Sequence, residues 1–507
     1  MQELRRKTGM NKPRSLLARA LRVLVIGVSV GALNVGLGQS AWGRSAVLPS
    51  TRAGQLVGEW VKLCRTPDLA QMTKWLTANL SEEAAKRVPA KDRAQDDFAL
   101  CAANGGFDVV QVTTSEPNRI SLILIGLNSG VWFDRGLTVD SAGKLERAGL
   151  YPTSPPESAL PKDLSDAAIA SEVKSTVARL SRMGLFSGIV TVARATGTIV
   201  TASGGYADRA KKTAITGSSQ FTLGSMGKMF TAASIGQLVD QKKMSFDDTV
   251  GKFFPDYPNH AVRDKVTVAM LLSHTAGMGD FLDKRTPEMM THGVKRAAEF
   301  MPLYDRDEPL FAPGTDWEYS NAGLSLAGAI VEEVSGEDYP DYIRKHIFAV
   351  AGMTNSDPNN IPDLTANLVT PYTKETRYGP SPDWHEAEHD IGSPAGGAIS
   401  TSDDLVRFAA ALRGGKLVSN ATFEEMTKSR GTKPPRLNYG YAMEIEHVYG
   451  RTIVGHGGGF PGVSTHLYLV LGSPYTVVVL ANEDPPAEAY AGSKVVALMA
   501  EKAKLEK

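Results

Sequence analysis

Neither sign of charge is in surplus along this chain. Its 55 basic residues are matched by 55 acidic ones, which removes the electrostatic footprint that a nucleic-acid partner or a strongly polar substrate surface would need. Cysteine is scarce. Cys64 and Cys101 are the only two, too few for a disulfide framework, although in an oxidising compartment they can pair within the N-terminal part. No internal repeat is detectable, which excludes a solenoid or array. The 507 residues exceed one ordinary core, so two folded parts are expected.

What is present begins with a basic and then apolar leader. Arg5, Arg6, Lys7, Lys12, Arg14, Arg19 and Arg22 precede an apolar stretch over 23–37 and small residues at Gln39-Ser40-Ala41. That order reads as a secretory signal peptide over 1–41, and Arg5-Arg6 adds a hint of twin-arginine export. The expected location is periplasmic or secreted, with membrane contact only if the leader stays uncleaved. No cysteine follows the apolar stretch, which argues against a lipoprotein.

Downstream, 55–74 and 81–103 pattern as helices, and 107–114, 119–127, 131–138 and 144–151 as strands, giving a small α+β accessory domain over 52–151. It carries no catalytic constellation, so a positioning or dimerisation role is expected for it. Pro152-Thr-Ser-Pro-Pro-Glu-Ser-Ala-Leu-Pro161 is a proline-rich linker. The rest, 164–503, opens with a helix over 164–183 closed by Gly184 and a hairpin made by 187–194 and 198–206. It ends in strands near 439–448, 464–470 and 476–481 and a helix over 487–502. The fold class expected is α+β: an antiparallel sheet flanked by both terminal helices, with a mainly helical second lobe.

A Ser-x-x-Lys tetrad occurs three times, at Ser141 to Lys144, Ser171 to Lys174 and Ser225 to Lys228. Ser141 lies in a small-polar cluster between two strand patterns and reads as a hairpin turn. Ser171 and Lys174 fall on the polar side of a helix whose apolar residues are Ile169, Val173, Val177 and Leu180. Ser225 differs, because a strand-like run leads into it and an apolar helix follows. Residues three apart at a helix start share a face, so Lys228 stands one turn from the Ser225 hydroxyl, where a lysine shielded from water can take a serine proton. The helix start also aims backbone N–H groups at charge developing on a substrate oxygen.

Tyr319-Ser320-Asn321 and His456-Gly457-Gly458 follow in order. With them, the chain resembles the serine β-lactamase and penicillin-binding-protein superfamily, in its class C, D-aminopeptidase and esterase-like branch. The resemblance runs through Phe221-Thr-Leu-Gly-Ser-Met-Gly-Lys228, Leu271-Leu-Ser-His-Thr-Ala-Gly277, Pro313-Gly-Thr-Asp-Trp-Glu-Tyr-Ser-Asn321, Ser393-Pro-Ala-Gly-Gly397 with Thr401-Ser-Asp-Asp404, and Gly455-His-Gly-Gly458. It implies Ser225 as the acylated nucleophile, Lys228 as its proton partner, and Tyr319 as the general base or acid that also activates the deacylating water. It implies that Asn321 binds Lys228 and the substrate's acyl-side amide. His456-Gly457-Gly458 takes the place of the family's Lys-Thr-Gly strand, and the amides of Ser225 and Gly459 form the oxyanion hole.

The expected activity is hydrolysis of a small ester or a D-amino-acid peptide through an acyl-enzyme, with no cofactor and no nucleic acid; a homo-oligomer is compatible with it. His456 departs from the family's lysine and titrates near 6.5 in water, so substrate carboxylates are expected to be poorly recognised, with a pH-dependent preference for neutral substrates. A binding or sensor protein that acylates slowly or not at all is the alternative from another class. A zinc protease is the third reading, from His385-Glu386-Ala387-Glu388-His389, although prolines and glycines around it limit any helix to two turns and no third ligand is evident. Tyr257-Pro258-Asn259 repeats the Tyr-x-Asn pattern in a proline-punctuated loop and reads as structural. Lys7-Thr8-Gly9 and Gly27-Val28-Ser29-Val30-Gly31 match catalytic motifs but lie in the leader.

Overall fold

The computed structural model describes residues 46–506 except 286–288, 290–294, 360–366, 377–378, 388–391 and 431–437; the leader and its motifs lie outside the described residues. The N-terminal part consists of α1 (Arg52–Arg65), α2 (Leu69–Asn79), α3 (Glu82–Arg87) and α4 (Ala90–Asn104), followed by β1 (Phe107–Glu116), β2 (Arg119–Gly126), β3 (Trp132–Val139) and β4 (Leu145–Pro152). The strands form the expected antiparallel meander. Each of the two expected helices is broken in two, because Pro67 and Pro89 interrupt the ladder and disfavour helical geometry in the residue before them. Asp68 caps the helix that restarts after Pro67, accepting from the Gln71 amide, and Ser81 caps α3, accepting from the Ala84 amide. Cys64 and Cys101 are joined, tying α1 to α4.

The chain continues through α5 (Asp166–Arg182), β5 (Gly188–Arg194) and β6 (Gly197–Gly204), then a helical lobe that includes α6 (Lys228–Asp240) and α7 (Asn321–Ser335), then α8 (Ser402–Arg413). It closes with β7 (Asn438–Tyr439), β8 (Glu444–Val448), β9 (Arg451–Phe460), β10 (Val463–Val470), β11 (Thr476–Ala481) and α9 (Ala487–Leu505). Seven strands pair in the order β7-β8-β9-β10-β11-β5-β6. Every residue of β10 and β11 is buried, which is why β11 reads as an apolar run without alternation. Strand β9 escaped the pattern, since Gly455, Gly457, Gly458 and Gly459 carry no side chain to mark its faces.

Helices α5 and α9 cover one face of this sheet, and α8 with the helical lobe covers the other. The two faces feed two cores. Ile445, Val454, Leu467 and Leu469 join Phe230 and Phe408 of the helical lobe. On the opposite face, Val477 and Val479 join Val173, Leu498, and Trp60 and Phe133 of the N-terminal part.

The accessory part therefore shares a core with the sheet. Phe133 meets Tyr490 of α9 at 6.0 Å, and Arg179 of α5 donates to the Ser129 carbonyl at 2.8 Å. The expected linker is bound down: the Tyr449 hydroxyl donates to the Pro155 carbonyl, and Glu157 pairs with Lys504 at 2.5 Å. Phe133 is 1% exposed, so Phe133→Ala should cost about 3–5 kcal/mol and lower a single cooperative unfolding transition followed by circular dichroism. An early separate transition that leaves the rest unmoved would show that the N-terminal part has a core of its own.

Candidate active site

Ser225 sits in a tight 3-10 turn, Gly224–Gly227, and the α-helix begins at Lys228. The serine is thus one turn before the α-helix and caps nothing. In a 3-10 turn residues i and i+3 eclipse, which places Lys228 Nζ 3.1 Å from Ser225 Oγ. The turn is clamped between two lobes. Thr465 of β10 donates to the Leu223 carbonyl at 2.8 Å, while the amides of Leu223 and Gly397 donate to the carbonyls of Ala398 and Gly224 at 2.8 and 3.0 Å. Gly396 must be glycine: at φ 147° a Cβ would stand 2.6 Å from the Gly224 carbonyl oxygen and 3.1 Å from the Ser225 amide. Gly459 is adjacent, its amide nitrogen 3.3 Å from where a Gly224 Cβ would be.

Lys228 is fully buried, so its amino group must find partners inside the protein. It donates to Asn321 Oδ1 at 2.7 Å and to the Ala395 carbonyl. Asn321, the first residue of α7, points its Nδ2 at Asp280 Oδ2, 2.9 Å away, which fixes the amide orientation.

Tyr319 lays its ring beside the same amino group, 4.8 Å from Nζ to the ring centre. Its hydroxyl is buried without a completed hydrogen bond. Burial pushes the phenol well above its usual value, and the nearby Ser225 hydroxyl only partly opposes this. Tyr319 therefore keeps its proton at neutral pH.

His456 differs from expectation. It is fully buried and both ring nitrogens are engaged: Nε2 with the Tyr439 hydroxyl at 2.8 Å and Nδ1 with the Gly457 carbonyl at 2.5 Å. Tyr439 in turn meets His274 Nε2 at 3.0 Å, and His274 Nδ1 accepts from the Ser320 amide at 3.1 Å. The two ends fix every proton. An amide can only donate and a carbonyl can only accept, so His274 donates from Nε2 to Tyr439, Tyr439 donates to His456 Nε2, and His456 donates from Nδ1 to Gly457. Burial, with Lys228 nearby, lowers the His456 pKa to about 3. Held that far below its usual value the ring is neutral near pH 7, which removes the basis for the expected pH-dependent substrate preference.

The other motifs separate cleanly. Ser141 lies in the turn between β3 and β4, and Ser171 and Lys174 are exposed on α5. Tyr257 is buried and Asn259 caps a short helix. His385 and Glu386 lie on a strand, Gly379–Glu386, paired with Tyr372–Thr376, so the helical zinc motif is not formed there; His389 lies outside the described residues. Among the described residues, no group of three His, Cys, Asp or Glu side chains is placed to hold a metal.

Residues 137–500 match the family model described as Beta-lactamase. The chain belongs to the beta-lactamase family. Penicillin-binding protein 4* of Bacillus subtilis (strain 168) is 28% identical over 324 residues, 60% of this chain and 69% of that protein. A D-aminopeptidase of Cereibacter sphaeroides is 23% identical over 318 residues, 59% of this chain and 57% of the relative. The solved octameric penicillin-binding protein homologue from Pyrococcus abyssi is 25% identical with a TM-score of 0.58, covering 66% of this chain and 77% of its own.

Within this beta-lactamase-family site, the sequence singled out Ser225, Lys228, Tyr319, Asn321 and His456, and the structure brings them together. Asp280, His274, Tyr439 and the Ala395 carbonyl were given no role. His274 and Ala395 fall in two blocks already noted, Leu271 to Gly277 and Ser393 to Gly397, whereas Asp280 and Tyr439 lie in no motif that could have signalled them. Tyr439→Phe removes the hydroxyl on which both histidines depend, so it should cost about 1–3 kcal/mol of stability, measured by denaturant unfolding. In the unfolded chain His456 regains a pKa near 6.5, so it makes the protein less stable as pH falls below about 6.5. By NMR its ring resonances should not shift between pH 8 and 5; a midpoint near 6.5 would mean that the ring is not buried as described.

Proposed function

We propose that this protein is a serine hydrolase that cleaves a small ester or a D-amino-acid peptide through an acyl-enzyme on Ser225. One observation carries the reading: the buried Lys228 amino group has two acceptor-only oxygens, Asn321 Oδ1 and the Ala395 carbonyl, and one hydroxyl, Ser225. In the proposed base form the amine gives its two hydrogens to those oxygens and turns its lone pair to the serine proton.

Ser225 Oγ attacks the substrate carbonyl carbon as its proton passes to Lys228 Nζ, making an ammonium. Amides at Ser225 and Gly459 receive the developing oxyanion. When the tetrahedral centre collapses, the leaving amine or alkoxide takes the Tyr319 proton, leaving a phenolate beside the Lys228 ammonium. Water then attacks the ester, giving its proton to the phenolate, and Lys228 returns its proton to Ser225 Oγ. The D-aminopeptidase relative supports a D-amino-acid substrate. With His456 buried and neutral, the strand offers no cation for a substrate carboxylate, which supports neutral esters and amides over penicillins. The bonded cysteine pair supports a periplasmic or secreted location, and the octameric homologue supports assembly of several copies.

Ser225→Ala should abolish labelling by a fluorophosphonate, read by intact mass, together with all turnover, while Ser171→Ala changes neither. Wild-type protein that turns over no ester or amide would instead favour a sensor. Tyr319→Phe should slow amide hydrolysis by roughly 10²- to 10⁴-fold and an activated ester much less, because a good leaving group needs no proton. Equal losses on both would move Tyr319 to an earlier step, and no loss would make it a packing residue.

A further inference from the structure

A cavity of about 770 Å³ lies behind the catalytic strand, between the N-terminal part and the α9 side of the sheet. Residues alternate across a strand, so Glu444 and Glu446 of β8 and His466 of β10 face this cavity, while Ile445 and Leu467 face the helical lobe. Gly457 and Gly458 of β9 reach it as well, so the same backbone stretch bounds the cavity on one side and the catalytic turn on the other.

The walls carry ionisable groups of both signs. On the sheet side, burial pushes the carboxyl of Glu444 up to about 8 and raises that of Glu446. His466 Nε2, 3.5 Å from Glu444, offers no cation, since burial holds it neutral. On the other side Arg135, 4% exposed, rests over the Trp60 ring at 4.1 Å, and its Nε has no hydrogen-bond partner. Asp97 lies near, but it accepts from the Trp60 indole at 3.0 Å. Arg93 lines the same wall, donating to the Ala148 carbonyl at 3.2 Å. A buried guanidinium and buried carboxyls facing one space are completed by a ligand that brings the opposite charge to each.

We propose that this cavity binds a zwitterion of amino-acid or dipeptide size, its carboxylate on Arg135 and Arg93 and its ammonium on Glu444 and Glu446. The volume is within the range of small-molecule sites. The site is separate from the acyl-enzyme chemistry and stands whether or not Ser225 is acylated.

Calorimetric titration of full-length Ser225→Ala, which removes turnover, tests it with alanylalanine of either hand, the N-acetylated peptide and the peptide amide. The free dipeptide should bind at one site per chain, and each blocked form at least tenfold more weakly. Glu446→Gln keeps size and shape and should weaken the free dipeptide at least tenfold, as should Arg135→Lys if its melting curve shows it folded. To separate this site from the catalytic cleft, the titration is repeated on wild-type protein phosphonylated at Ser225, where binding should persist. Binding that vanishes on phosphonylation, is indifferent to Glu446→Gln, or is equal for the blocked peptides overturns the proposal, as does no binding of any zwitterion.

Discussion

The amino group of Lys228 is the point on which the catalytic half of the molecule depends. Buried without water, it must be satisfied by protein atoms, and those atoms come from three distant stretches: the turn at Ser225, the start of α7 at Asn321, and the segment at Ala395. Leaving a buried amino group unpaired costs several kcal/mol, more than a typical hydrogen bond contributes. The geometry around the nucleophile is therefore enforced by a penalty for any other arrangement. Asp280 extends the constraint by holding the Asn321 amide in the orientation that presents its oxygen to the lysine.

Much of this was legible in the chain. The spacing of Ser225 and Lys228 placed them together because residues three apart lie on one face in either helical form, and the strands and terminal helices emerged where side chains mark their faces. The glycine strand β9 could not be read from pattern, since its register lives in the backbone and in its neighbours. The burial of His456 was equally invisible: a histidine between glycines looks exposed in sequence, and its environment is supplied by Tyr439 and Tyr319 from other segments. The proline-rich stretch 152–161 was legible as irregular but not as bound, because its partners Tyr449 and Lys504 lie hundreds of residues away.

Tyr319 shows how burial decides a role that residue type leaves open. A nearby serine hydroxyl favours the phenolate, yet removing the ring from water has the larger effect and holds the proton on the oxygen.

The hydrogen-bonded run from Ser320 through His274, Tyr439 and His456 to Gly457 crosses between the two lobes, because His274 precedes α7 in the helical lobe while Tyr439 and His456 belong to the sheet. Every proton in it is committed, so the lobes cannot swing apart without stranding buried imidazoles. The gap that holds Ser225 is accordingly latched, since opening it would leave two buried imidazoles without their partners.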